Sequence, residues 1–543
     1  LAQSPNWATA VNNASEAPGG EPGAKFISYN QPALNDDGIM VFRARSRVET
    51  SDPLTSGIYR LDLFGGSIEK LAIRGDVVPD PNNTVVSGSL ATFNDFPSTP
   101  RIDPGSGLIA SRGQHMPVWS YLIDGEETRI GTAGIFAYQG TTGITGASLL
   151  GAAVEPDGVT LTFPWFSVPG TVFGTRFEQF PGAPAVSDGR FIVYKGNYTD
   201  LNDGLGRTGI YYRDVVAGDP QPFTGLIAYS DTIIPNQPKG GIVEFGSTAP
   251  PSAAEGWVYF TGLDIEEAPT LGGIYRAPIA PTPALQVVAG IGQQVPGEPP
   301  GPENTFITFG EALSVSSDGN RLLFWSAWGS ETFEKLLICP EDGRPEVIAF
   351  CNEQHPDGFV IEVPVNQGFF VFDGPTDTIY RIARTGEDGI DDFLFHNFSG
   401  RVPGAGEEED DEELARWRSG ATGALSSAAD APSLAAIKAA RNGTSGIYLR
   451  EGLGFQLPLR TIAEVDTTPG TDLDPDAPAG SVVSEVGVER DGFRNDRLAI
   501  NAAMLFEDPL DPEESDGWAG IYYADLAPDL IFQDGFEEPV TTN

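Results

Sequence analysis

Arg112, His115 and Tyr121 lie close together in the stretch Ser111-Arg112-Gly113-Gln114-His115-Met116-Pro117-Val118-Trp119-Ser120-Tyr121. A guanidinium, an imidazole and a phenol so placed could serve a polysaccharide lyase. Arginine would neutralise a uronate carboxylate while histidine or tyrosine removes the adjacent proton. The competing expectation is an irregular, partly buried strand with no chemistry, and a strongly negative chain disfavours a polyanionic substrate. His115, His355 and His396 are the three histidines, and their separation gives no zinc-ligand spacing. The sequence has no Gly-x-Ser-x-Gly elbow, phosphate loop or His-Glu-x-x-His motif. With 76 Asp and Glu, a carboxylate pair at glycosidase distance is expected by chance and identifies nothing. The reading therefore assigns no catalytic set.

Two other groups of residues could hold something. Asp472, Asp474 and Asp476 alternate along one segment like the start of a calcium loop. Ala477 stands where such a loop needs glycine, and no glutamate falls at the twelfth position. Asp200-Leu201-Asn202-Asp203-Gly204 is incomplete in the same way. Calcium at an acidic loop is one expectation, and a solvated turn is the other. Cys339 and Cys351 are the two cysteines, separated by a turn-rich segment and the strand-like Val347-Ile348-Ala349-Phe350. A hairpin would bring them together, so a disulfide is expected in an oxidising compartment, with two buried thiols as the alternative.

These residues need a scaffold, and the composition indicates one made of strands. Glycine (66) and proline (45) are abundant, yet hydrophobics are 40% and aromatics 10%, so the chain can build a core. Short apolar runs broken by Gly, Pro, Asn and Asp imply an all-β protein. The one helical candidate, residues 426–441, contains Pro432. The net charge of −44 repels nucleic acid and anionic membranes and favours cations. No run of 18 apolar residues could span a membrane as a helix. Leu1-Ala2-Gln3-Ser4 reads as the start of a chain left by a signal peptidase, which implies export.

A repeat organises the chain. Gly57-Ile58-Tyr59 recurs as Gly134-Ile135-Phe136, Gly209-Ile210-Tyr211, Gly273-Ile274-Tyr275, Gly446-Ile447-Tyr448 and Gly520-Ile521-Tyr522, with degenerate copies at Leu336-Leu337-Ile338 and Thr378-Ile379-Tyr380. Most copies are 63–77 residues apart, and one pair is 42 apart. Each follows a pair of apolar residues spaced by three: Phe26/Tyr29, Phe93/Phe96, Phe177/Phe180, Ile242/Phe245, Phe306/Phe309, Val360/Val363, Phe395/Phe398 and Val483/Val486. A turn such as Asn35-Asp36-Asp37-Gly38 or Ser187-Asp188-Gly189 and an apolar strand lie between. A closing strand follows, as in Leu71-Ala72-Ile73 or Ile462-Ala463. Four short strands per unit, the middle ones apolar throughout, describe propeller blades whose faces are both covered. The expectation is a single β-propeller of about eight four-stranded blades. Seven is the alternative, because the 42-residue spacing fits a merged unit. An array of β-sandwiches is the rival fold, for which the units are short. Insertions fall at residues 123–132 and at the acidic run 407–413.

The pattern resembles bacterial secreted repeat proteins with units of Asn-x-x-Gly-x-Val-Ala-Phe followed by Gly-Ile-Tyr. More distantly, Ser317-Asp318-Gly319-Asn320-Arg321-Leu322-Leu323-Phe324 is similar to the strand entry of TolB-like propellers. Ile531-Phe532-Gln533-Asp534-Gly535-Phe536-Glu537 resembles a short C-terminal ending common on exported proteins of Gram-negative bacteria. These resemblances imply a propeller, secreted or held at the cell surface or in the periplasm, and no particular activity. The expected organisation is an N-terminal segment (1–23) able to close the ring, a propeller (24–529) and a tail (530–543). Residues 7–11 or 530–532 would supply the last strand. The functional expectation is a non-enzymatic binding or surface-assembly protein, with a protein, a glycan or further copies of itself as partner. The alternative is a carbohydrate-active enzyme working in the central funnel.

Overall fold

The computed structural model describes residues 5–49, 53–80, 82, 90–116, 119–123, 126–130, 133–149, 152–154, 160–162, 166–172, 175–216, 224–238, 240–341, 345–400, 402, 415–426, 434–453, 458–508 and 511–526. Seven antiparallel sheets follow one another along the chain. In blade one the order is Lys25–Tyr29 with Ala33–Leu34, then Ile39–Arg47, Thr55–Asp62 and Glu69–Ile73. Lys25–Tyr29 and Ala33–Leu34 are two halves of one inner strand, since both pair with Ile39–Arg47. Pro32 stands at the break, where it supplies no N–H to the ladder.

Side-chain packing gives the reason for the Gly-Ile-Tyr repeat. Gly57 and Tyr59 face the same side of their strand, and the tyrosine ring folds back over the glycine. A Cβ on Gly57 would lie 2.6 Å from the Tyr59 hydroxyl, and Gly209 with Tyr211 repeats the arrangement at the same distance. An aromatic from the inner strand, or in blade three from the segment ahead of it, then stands edge-on to that ring: Phe26 on Tyr59 at 4.9 Å, Phe93 on Phe136 at 4.8 Å and Phe177 on Tyr211 at 4.9 Å between centroids. A bulge against the outer strand recurs at the same place, between Ile58 and Tyr59, Ile135 and Phe136, and Ile210 and Tyr211.

The same signature settles the blade count at seven, the alternative that the 42-residue spacing offered, in place of eight. In blade five the bulge lies between Phe369 and Phe370, and Phe306 stands 5.1 Å from Phe370 at 89°. The copy of the motif in this blade is therefore Gly368-Phe369-Phe370. Leu336 and Leu337 belong to the long second strand Arg321–Leu337, and Thr378-Ile379-Tyr380 opens the outer strand Thr378–Arg384. Val360 and Val363 sit in the third strand, Phe359–Asp373. Two expected units are thus one blade whose central hairpin is extended. Phe395 and Phe398 are likewise outside the blade sheet, in a separate hairpin. In blade four Phe245 alone takes the packing position, 5.2 Å from Tyr275, while Ile242 is 82% exposed.

Seven buried clusters each join one blade to the next. The cluster of Val11, Phe26, Phe42, Tyr59, Ala499 and Ile521 joins blade seven to blade one. The N-terminal strand Ala8–Asn12 closes the ring by pairing with Asp511–Asp525, and Val11 and Asn12 take the register that Ala72 and Ile73 hold in blade one. The residues at 530–532 lie outside those described. Of the expected helix at 426–441, Leu434–Arg441 is a strand of blade six. Conversely, the strand-like segment between the cysteines lies in the helix Pro345–Gln354. Val347 and Cys351, one turn apart, are its buried residues.

Candidate functional site

The second halves of the inner strands, Ala33–Leu34, Arg101–Ile102, Ala185–Ser187, Ser252–Ala254, Ser314–Val315, Gly423–Leu425 and Phe493–Arg494, touch one another in sequence round the axis, and the last touches the first. A ligand entering the channel would have to pass this ring. The segment from Glu489 to Arg494, ahead of and within the blade-seven inner strand, crosses it. The Arg490 guanidinium donates to Ser252 Oγ at 3.3 Å in blade four, and its carbonyl accepts from Ser314 Oγ in blade five. Asp491 accepts from Leu34 N at 2.9 Å through its carbonyl, and its carboxylate pairs with Arg101 and, at 2.7 Å, with Arg494. Glu489 lies 3.3 Å from Arg101 and 3.2 Å from Arg490. Arg494 also donates to Leu425 O at 3.5 Å in blade six. Burial would raise the Asp491 carboxyl, but Arg101, Arg494 and Arg490 hold it below the usual carboxylate range. Burial, then the charge of Arg101, bring the Arg490 guanidinium down to about 10. The axis is therefore crossed by charges that pair with one another and tie blade seven to five other blades.

Below this plug, at the mouth where first and second strands join, the turns carry Asp36, Asp103, Asp188, Glu255 and Asp318. Ser317 of blade five donates to Asp36 of blade one at 2.7 Å, so the mouth is narrow. Burial, then the charges of Asp188, Asp103, Asp318 and Asp36, hold the Glu255 carboxyl above its ordinary value.

The residues singled out by spacing do not gather here. His115 is 1% exposed in the second strand of blade two, with its ring 6.4 Å from that of Phe136. Burial brings its imidazole down to about 4. Arg112 lies half-buried on the same strand, opposite Ile135. Tyr121 belongs to the hairpin of Trp119–Ile123 and Glu126–Ile130. Asp474 is fully buried. It accepts from Thr9 Oγ1 at 3.1 Å, Asn12 Nδ2 at 3.0 Å, Trp518 Nε1 at 2.8 Å, Tyr522 OH at 3.2 Å and Asp476 N at 3.0 Å. It anchors the ring-closing strand to blade seven, while Asp472 and Asp476 face solvent. Among the described residues no group of three or more His, Cys, Asp or Glu could hold a metal ion.

The structure assembles a second feature on the opposite rim. The blade-five hairpin continues beyond its sheet through Phe333–Leu337 paired with Phe359–Val363, and carries the helix Pro345–Gln354 at its end. Cys339 and Cys351 are joined by a disulfide that staples this helix to the strand. The hairpin Phe395–Ser399 with Arg416–Gly420 is inserted into the inner strand of blade six. Lys335 of the blade-five extension pairs with Asp392 on the inner strand of blade six at 2.6 Å, and Arg416 reaches Glu266 of blade four at 3.7 Å. Cys339, Val347, Cys351, Phe398 and Ala415 form the small core of this cap. Beside it lies an open cavity of about 750 Å³ lined by Phe350, Gln354, His355, Phe359, Phe398, Ala415, Arg416 and Trp417. Burial, then the charge of Lys335, hold the His396 imidazole below its ordinary value. The signal available in the sequence was the insertion around the acidic run 407–413, flanked by Phe398 and Trp417, together with the cysteine pair.

The described residues thus define one seven-bladed β-propeller, closed by its N-terminal strand, plugged on its axis and capped on one rim by a disulfide-stapled insertion. No family model and no curated protein sequence matches the chain. Among solved structures it is similar to an oligogalacturonate lyase in complex with manganese, at 10% identity over 97% of each chain with a TM-score of 0.38. It is similar to the β-propeller domain of the Trilobed protease from Pyrococcus furiosus at 9% identity, covering 91% of this chain and 94% of that one, with a TM-score of 0.36. It is also similar to an α-L-arabinofuranosidase from Fusarium graminearum at 10% identity, covering 84% and 98%, with a TM-score of 0.29. Likeness at this level assigns no activity.

Proposed function

We propose that this chain is an exported, non-enzymatic binding protein that engages a protein or glycan at a cell surface through its capped rim. The observation that carries this reading is the crossed axis. The charged groups at the centre of the ring pair with one another across the axis, and the cap cavity is a concave site open to a partner. The Cys339–Cys351 bond supports an oxidising compartment. Among the described residues no helix is long and apolar enough to cross a membrane. The net charge of −44 disfavours nucleic acid as the partner. The calcium expectation rests on Asp472 and Asp476, since Asp474 already has its donors.

The test is turnover. The purified protein is incubated with polygalacturonate, arabinan and neutral β-glucans while new reducing ends and absorbance of unsaturated uronates are followed. The expected result is no product above a heat-inactivated control. Steady product release from any of these polymers would replace the binding reading with a carbohydrate-active enzyme.

A further inference from the structure

The cap cavity has a chemistry of its own. Phe398 and Trp417 are directly opposed across the inserted hairpin, with centroids 5.5 Å apart at 72°. Phe350 from the stapled helix stands 6.3 Å from Phe398. His355, just past the helix end, lies 4.8 Å from Phe359 and 6.0 Å from Phe398. Five rings thus line one open space, with Gln354 and Arg416 among them. The Trp417 Nε1 hydrogen is buried and meets no acceptor among the described residues, so Trp417 offers the cavity its ring.

We infer that this cavity binds a neutral sugar residue of a glycan, which rests on the binding reading above and names its ligand class. A pyranose presents C–H faces that pack against aromatic rings and hydroxyl oxygens that accept from donors. The donors at hand are Gln354 and Arg416, both exposed. Neutrality follows from charge. Arg416 already has Glu266 at 3.7 Å, so it offers a carboxylate no uncompensated cation. The field of a chain carrying −44 opposes a polyanion as well. The disulfide serves this site by holding the helix that supplies Phe350 and Gln354 against the hairpin that supplies Phe398 and Trp417.

The experiment is isothermal titration of the full chain with cello-, laminari-, xylo-, manno- and maltohexaose, with hexagalacturonate and with N-acetyltyrosinamide. At least one neutral hexasaccharide should bind. Trp417→Ala should weaken it at least tenfold, and Gln354→Ala, at an exposed position, several-fold, with melting temperatures near that of the parent. Hexagalacturonate should bind at least tenfold more weakly than the best neutral sugar. The inference is overturned if no neutral sugar binds, if both variants bind as the parent does, or if hexagalacturonate or N-acetyltyrosinamide binds more tightly than every neutral sugar. The two proposals fail separately. Product release in the turnover assay removes the non-enzymatic reading whatever the cavity binds, whereas a sugar-blind cavity without turnover leaves a binding protein with a protein partner.

Discussion

His115 shows how environment decides whether a reactive residue type can react. In the blade-two strand it is neutral at pH 7, because burial holds its imidazole at about 4 against an ordinary value near 6.5. A folded-state value below the unfolded one means that the unfolded chain binds the extra proton between these limits. The contribution to stability is therefore complete above about pH 6.5 and is lost as pH falls toward 4. At pH 4.5 the loss is on the order of 2 kcal/mol. In urea unfolding at pH 7 and pH 4.5, His115→Gln should reduce the acid-induced drop in stability by about that amount. The carboxylates titrate alike in both proteins, so an equal drop in both would show that His115 is not buried neutral. The segment around His115 is aligned in sequence like a small active site, but Arg112 and His115 lie in a pleated strand between packed blades.

The elements repeat because one packing problem recurs. Each third strand needs glycine two residues before an aromatic so that the ring can fold back, and each inner strand supplies a side chain to cover that ring. Where the sequence keeps glycine and both aromatics, the blade is legible. Blade five hides its copy because Gly368-Phe369-Phe370 lacks the usual isoleucine, and because an apolar string in the extended hairpin imitates the motif. The cap is a different kind of element, since it lacks blade neighbours and depends on its own small core and one cross-link. A disulfide closing 12 residues contributes about 3 kcal/mol by restricting the unfolded chain. Replacing both cysteines with serine should leave global unfolding nearly unchanged. Amide exchange in the helix Pro345–Gln354 should accelerate by about two orders of magnitude while exchange in the blade strands stays as before. Unchanged exchange in that helix would mean that packing on Phe398 holds the cap without the bond.

At the scale of the whole molecule the ring is held in two ways: by apolar clusters between successive blades, and by the segment that crosses the axis. Its closure depends on the N-terminal strand. Val11 is buried between blades seven and one, and Thr9 and Asn12 are bonded to the buried Asp474. Deleting residues 1–13 removes these contacts and exposes the edge of Asp511–Asp525, a template for pairing with another chain. The expected cost is on the order of 4 kcal/mol. The truncated protein should also associate in sedimentation velocity, and a synthetic peptide of residues 5–16 should restore the melting temperature. A monomeric truncation with the parent's melting temperature would show that closure does not need this strand.

The sequence by itself determined an all-β propeller and its repeating unit, because the period-two placement of glycine and aromatic is a local requirement of every blade. It offered the cysteine pair as a bond, with two thiols as the alternative, and two insertions as departures from the repeat. It also offered residues 7–11 as one source of the closing strand. Only the tertiary structure decided the rest. The number of blades depended on which apolar strings pair with which, and pairing is non-local. The helix between the cysteines formed because Val347 and Cys351 face a core that exists only once two blades bring their extensions together. Asp474 resembles a metal ligand along the chain and is an anchor in space, since its donors come from residues up to 465 positions away. The plug on the axis was invisible for the same reason. Arg101, Arg490, Asp491 and Arg494 are ordinary charges on an acidic chain until ring closure places them against one another, out of water, where each must find its partner.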